Sequence, residues 1–302
     1  MTQANPQSAQ DLAALATLLD ASDDYRVLRR LHPPAAYQAD DGTPTKTAIF
    51  LDVETTGLEA GRHEIIELAM VPFTYAQDGR IFKIGEAFQA LREPAHPIPP
   101  EVTAITGIDD AMVAGKTIDP ADVAAFIEKA DLIIAHNAGF DRRFMEIFCE
   151  DFVHKPWACS MSQVDWQAEG FETLKLSFLA ATAGFFYDKH RAVHDCHAAI
   201  ELLARPLPKS GQRAMAQLLD KARAPSWRIW ASQAPFEMKD VLRQRGYRWN
   251  ADGVGATKAW TIDVPDARKE EECRFLQEEI YGRPQAINCR KIDAYERFSA
   301  RV

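Results

Sequence analysis

The segment Phe50-Leu51-Asp52-Val53-Glu54-Thr55-Thr56-Gly57 constrains this chain more than any other. Residues 45 to 54 alternate with the period of an extended strand. Leu51 and Val53 therefore enter a core while Asp52 and Glu54 project together from the other face. Two neighbouring carboxylates on a mostly apolar strand repel each other and are costly to bury unless a cation lies between them. Taken alone, an Asp-x-Glu pair is most simply an acidic strand end in solvent. Thr55, Thr56 and Gly57 add a tight turn directly after the acids, which brings backbone amides close and suits the approach of a phosphate.

The surrounding pattern predicts further strands over 65–73 and 81–90, with a turn at Gln77-Asp78-Gly79 between them. After these, helical and extended periods alternate: a helix over 120–129, a buried strand over 132–134, and helices over 140–150, 174–183 and 193–203. Three strands followed by this alternation predict an α/β fold, a sheet covered on both faces. One or two helices over 11–31 precede it and end at His32-Pro33-Pro34; residues 35–46 form a linker. Pro206 and Pro208 mark a second boundary. Beyond them the pattern gives a strand over 227–230, a helix over 235–245, a turn at Asn250-Ala251-Asp252-Gly253, a strand over 260–264 and a helix over 266–281. The expected division is thus a helical extension and linker (1–45), an α/β domain (46–205) and a small α+β module (206–302).

A third acid, Asp141, lies in His136-Asn137-Ala138-Gly139-Phe140-Asp141, just past a strand's carboxyl end, where α/β sheets gather their ligands. The dipole of the helix it begins also favours an acid there, whatever its use. A fourth, Asp195, follows His190 in His190-Arg191-Ala192-Val193-His194-Asp195. The spacing of His190, His194 and His197 permits zinc on a helix, but the glutamate of the usual zinc-hydrolase pattern is missing. Four oxygen donors with one histidine suit Mg²⁺ or Mn²⁺ instead. Two such cations about 4 Å apart serve phosphodiester hydrolysis, with a histidine of pKa near 6.5 taking the proton of the attacking water.

The order DVETTG, HNAGFD, HRAVHD resembles the three motifs of the DEDDh 3′-to-5′ exonuclease family, which includes the proofreading subunit of bacterial DNA polymerase III and ribonuclease T. The resemblance covers residues 46 to 205. It implies a ribonuclease-H-like mixed sheet flanked by helices, two metal ions held by Asp52, Glu54, Asp141 and Asp195, and His190 as general base. It further implies that Leu58 packs against the terminal base and that Asn137 and Phe140 contact substrate, alongside Thr55 and Gly57 of the turn. In the stretch ending Thr106-Gly107-Ile108 the family usually has a histidine where this chain has Thr106, whose hydroxyl is able to hydrogen-bond the sugar. The implied substrates are single-stranded DNA or RNA 3′ ends, released as nucleoside 5′-monophosphates in DNA repair or proofreading. The alternatives are an accessory subunit of a DNA polymerase and a non-catalytic nucleic-acid-binding module.

Net charge of −9 over 302 residues at first argues against nucleic acid, but it averages unlike parts. Residues 1–204 hold 16 basic and 31 acidic residues, whereas 205–302 hold 19 and 13. The tail interleaves Trp227, Trp230, Tyr247, Trp249 and Trp260 with Arg228, Arg243, Arg245, Arg248 and Lys258, a composition that serves either a small core or base stacking with phosphate contacts. The leucine stripe Leu12, Leu15, Leu18 and Leu19 is expected to pack on the exonuclease domain, with homodimerisation as the alternative. No run approaches the roughly 18 apolar residues of a membrane span, and no signal sequence opens the chain, so a cytoplasmic protein without a membrane partner is expected. Five cysteines without a Cys-x-x-Cys pair are expected to be free, mostly buried thiols.

Overall fold

The computed structural model describes residues 9–250 and 258–301; the expected turn beyond Asn250 (Ala251 to Gly253) lies outside them. The first element is α1 (Ala9–Asp20). Its leucines do not pack on the domain as the sequence predicts: Leu12, Leu15, Leu18 and Leu19 face solvent. The chain is anchored further along instead, where the Arg26 guanidinium donates to the carbonyls of Ala181 and Thr182. There β1 (Arg29–Arg30) pairs in parallel with Phe185 and Phe186, in place of a second helix.

The long strand β2 (Thr45–Thr55) pairs antiparallel with β3 (Ile65–Ala76), whose outer edge takes both β4 (Ile81–Ile84) and β5 (Phe88–Leu91). The single strand expected over 81–90 is broken opposite Pro72. Proline has no N–H to offer the ladder, and the chain keeps only a bond from the Gly85 amide to the Pro72 carbonyl, 2.8 Å. Helices α2 (Pro100–Thr106), α3 (Asp110–Val113) and α4 (Pro120–Ile127) lead into β6 (Leu132–Ala135), parallel to β2. Then follow α5 (Ala138–Phe148), β7 (Trp157–Cys159), α6 (Leu176–Thr182), β8 (Phe185–Phe186), α7 (Ala192–Ala204) and α8 (Ala214–Arg223). The order β4-β3-β2-β6-β7, with β5 beside β4 on β3, makes the mixed sheet flanked by helices that the resemblance implies.

The strand period decides which residues meet which helices. Ala48 and Phe50 join a core with residues of α6, α7 and α8, while Ile49, Leu51 and Val53 join another with α4 and α5. Asp52 and Glu54 therefore lie on the α7 face, at the strand's carboxyl end. Pro206 and Pro208 do not interrupt this packing, because Ala214, Met215, Leu218 and Leu219 of α8 belong to the same core as Phe50. Cys149, Cys159 and Cys196 are buried, and all five cysteines are free thiols.

A second, antiparallel sheet follows, built from β9 (Ser226–Ala231), β10 (Arg248–Asn250), β11 (Ala259–Pro265) and β12 (Asn288–Ile292) in the order β10-β11-β9-β12. With α9 (Lys239–Arg245) and α10 (Lys269–Phe275) it encloses its own core around Ile229, Leu242, Tyr247 and Val264. Trp230 is buried outside that core, whereas Trp249 stands 52% exposed.

The last residues strap back across the first sheet's helices. Arg142, fully buried on α5, donates through its guanidinium to the carbonyls of Ala294, Tyr295 and Arg297 and pairs with Glu146 at 2.7 Å. A buried cation so placed has no water to fall back on. Arg142→Met should lower the unfolding free energy by about 3 kcal/mol in urea titrations; an unchanged midpoint would show that the strap contributes nothing.

Candidate active site

Two side chains of β2 and one of α7 converge. Ligand atoms of Asp52, Glu54 and Asp195 all lie within 4.8 Å of one another. Strand alternation supplies the first two, and the first turn of α7 supplies the third. The Asp195 carboxylate is oriented by the Tyr187 hydroxyl (2.7 Å) and the His190 amide (2.8 Å), both donating to it. The amino end of α7 is itself fixed by a residue that sequence reasoning passed over. Glu67 sits on β3 directly across from Glu54 and is fully buried. Its carboxylate accepts from Gln89 (2.7 Å), from the Arg191 guanidinium (3.2 Å) and from the Ala192 amide (3.2 Å). The available signal was a lone acid in the apolar run Ile65-Ile66-Glu67-Leu68.

Asp141 reaches the same end of the sheet from α5. It is almost wholly buried, and its Oδ1 accepts from the Val53 amide at 3.3 Å. It lies outside the three-way cluster, yet its charge is felt at Asp52. His190 holds a left-handed backbone, φ 62°, on the half-buried loop ahead of α7. Its amide is committed to Asp195, while its ring makes no hydrogen bond among the described residues.

The remaining expected contacts divide. Leu58 projects from the turn, 82% exposed, and Asn137 is an exposed left-handed residue at the start of α5. Phe140 is half-buried, its ring 5.0 Å from that of Phe144. Thr55 donates to the Gly57 carbonyl and closes the turn. The close approach that the sequence reading reserved for a phosphate at Gly57 is taken by His63: a Cβ on Gly57 would lie 2.3 Å from that ring. Thr106 is also otherwise engaged. It is buried, donates its hydroxyl proton to the Val102 carbonyl and accepts from the Ile108 amide, so it ends α2 and has no proton left for a sugar. His194 is exposed with its ring against the Asp188 carbonyl, and no histidine joins a metal-ligating group among the described residues.

Crowding sets the electrostatics. Burial, and then Asp141, Asp195, Glu54 and Glu67, raise the pKa of Asp52 well above the usual carboxylate range. Burial, followed by Asp195, Glu67 and Asp141, pushes Glu54 up to about 8. Asp141 also rises to about 8, through burial that outweighs its hydrogen bonds. Asp195 is raised by burial against the lowering effect of Tyr187 and His190. These acids resist ionising together without a cation, and hard oxygen donors at this spacing fit a divalent one.

Residues 49–203 match the family model RNase_T, described as Exonuclease, and the chain belongs to that exonuclease family. Among curated proteins it is 29% identical over 207 residues to the PolC-type DNA polymerase III of Caldanaerobacter subterraneus subsp. tengcongensis, covering 63% of this chain and 14% of that protein. The PolC-type enzyme of Thermotoga petrophila is 31% identical over 159 residues, 52% of this chain and 10% of its own. The chain thus spans a small fraction of these relatives' length. Among solved structures, Exonuclease X in complex with 5′ overhanging duplex DNA is 27% identical, covering 58% of this chain and 90% of that one, with a TM-score of 0.39. Escherichia coli Exonuclease I in complex with a dA16 oligonucleotide is 17% identical, covering 76% and 67%, with a TM-score of 0.49.

The raised pKa values have a consequence for stability. Between about pH 4, where the unfolded chain's acids ionise, and about 8, where Glu54 and Asp141 ionise when folded, the native state holds protons that the unfolded state has lost. Stability of the metal-free protein therefore falls as pH rises through that window. A divalent cation takes the protons' place, so Mg²⁺ or Mn²⁺ should raise the melting temperature by several degrees at pH 8 and hardly at pH 5. An equal gain at both, in parallel scans against chelated protein, would contradict this electrostatic account.

Proposed function

We propose that this protein is a 3′-to-5′ exonuclease that hydrolyses terminal phosphodiester bonds of single-stranded nucleic acid and releases nucleoside 5′-monophosphates. The convergence of Asp52, Glu54 and Asp195, with ligand atoms within 4.8 Å, carries the reading. Family membership over residues 49–203 supports it. In this proposal Asp52, Glu54, Asp141 and Asp195 hold two Mg²⁺ or Mn²⁺ ions, which supply charge stabilisation at the attacking and leaving oxygens. His190, on the loop tethered to Asp195, accepts the proton of the attacking water. Tyr187 and Glu67 fix the carboxylate and the helix end beside it. Leu58, exposed at the tip of the turn, packs against the terminal base, and Asn137 and Phe140 flank it from α5. The catalytic unit runs from β2 through α8, because α8 completes its core, and the second sheet forms the accessory module.

A second reading rests on the PolC-type relatives: the chain works as a proofreading or accessory subunit beside a DNA polymerase. Copurification with a polymerase, and a rate that rises on adding it, would favour that reading. No helix among the described residues is long and apolar enough to cross a membrane.

Asp52→Asn and Asp141→Asn should each reduce hydrolysis of end-labelled DNA and RNA oligomers, in Mg²⁺ and in Mn²⁺, by roughly 10³-fold or more. His190→Ala should cost about 10²- to 10⁴-fold. Full activity in either aspartate variant would overturn the assignment, and the two oligomers compared on the wild type give the substrate class. Glu67→Gln keeps the shape but loosens the hold on Arg191 and Ala192. It should lower activity and divalent-ion affinity by about 10- to 100-fold, measured by kinetics and calorimetry together.

A further inference from the structure

A groove of about 860 Å³ runs between the exonuclease layer and the accessory sheet. One wall begins with Asn137 and Gly139 at the head of α5, and Asp141 follows two residues on, about 3 Å along the helix axis. The opposite wall is the strand pair β10 and β11, with the Trp249 ring at 5.8 Å from that of Trp260 and still half in solvent. Five basic residues line the groove against one acid, Asp263, which is paired with Arg228 at 2.7 Å. Arg143 and Arg248 face one another's walls, are exposed, and make no side-chain hydrogen bond or ion pair among the described residues. Lys221 adds a third cation from α8, with only a 3.9 Å contact to Asp165.

Positive charge drawn from three separate elements, in a protein whose first two thirds are strongly acidic, is an arrangement with a purpose. Cations at intervals with an accessible aromatic face are what a single-stranded polynucleotide needs: phosphates are neutralised and a base is stacked, without reading sequence. We propose that this groove binds the single-stranded segment 5′ to the terminal nucleotide, with Arg143, Lys221 and Arg248 at phosphates and Trp249 stacked on a base. The proposal rests on the exonuclease reading for the direction of the strand. It makes the accessory module part of the substrate path, so that two helices of the exonuclease layer and one strand of the accessory sheet hold one polynucleotide.

The test compares the full-length wild type with Arg143→Ala/Arg248→Ala and with Trp249→Ala. Two substrates are used: a 15-nucleotide single strand, and a p-nitrophenyl ester of thymidine 5′-phosphate too short to reach the groove. The ratio of kcat/KM on the strand to that on the ester should fall about tenfold or more in each variant. The slope of log affinity against log salt should become shallower by about 1.4 in the double variant, two single-strand phosphate contacts' worth. Ratios and slopes equal to wild type, or equal losses on both substrates, would overturn the groove as a strand site. If the wild type cleaves neither substrate, the exonuclease reading fails by itself. Fluorescence anisotropy on whichever of dT15 and rU15 binds more tightly then decides the groove alone: weaker binding in the variants supports it, and unchanged or absent binding rejects it.

Discussion

Repulsion among acids at one end of a single strand is the constraint on which the rest of this structure depends. Asp52 and Glu54 share a face of β2, Glu67 lies directly across from Glu54, and Asp195 and Asp141 are brought in by helices from either side. Such a group is costly to assemble in a protein interior. The fold meets the cost by fixing each acid through a different element. Glu67 is satisfied by three donors and in return fastens the start of α7. Asp195 is held by Tyr187 and by the backbone of His190. Asp141 is held by the Val53 amide, which belongs to the strand that carries the first pair. What strain remains appears as raised pKa values, and a divalent cation is the natural relief.

The parts legible in the sequence were those governed by a short period. Alternation over 45–54 placed the paired acids on one face, and the helical stripes over 140–150 and 193–203 anticipated α5 and α7 within a few residues. The parts that were not legible depend on contacts far along the chain. Glu67 reads as one acid among apolar residues until pairing with β2 sets it opposite Glu54. The proline pair at 206 and 208 reads as a boundary, yet the apolar face of α8 completes the core beneath Phe50. Gly57 serves His63, and Thr106 serves its own helix end, because local partners reach them first. The α1 leucines carry a core-like stripe but find no core, since the anchor lies downstream at Arg26 and β1.

The carboxyl-terminal part is bound to the catalytic layer by more than sequence proximity. Buried Arg142 follows Asp141 directly on α5 and gathers three carbonyls of the terminal strap. The same helix therefore carries Asp141 on one side, the strap on another, and at its head the lip of the groove. Opposed charges in the two parts of the sequence meet in this geometry: the acid cluster lies in the first sheet, and five basic residues line the groove between the two parts.

The central claim is that the acid cluster is a divalent-cation site held partly protonated until the ion arrives. Calorimetric titration of the chelator-treated protein with Mn²⁺ at pH 7, repeated in two buffers of different ionisation enthalpy, tests it most directly. Because Glu54 and Asp141 titrate near 8, binding should release about one proton or more per protein. No binding, or binding whose heat is the same in both buffers, would contradict the account.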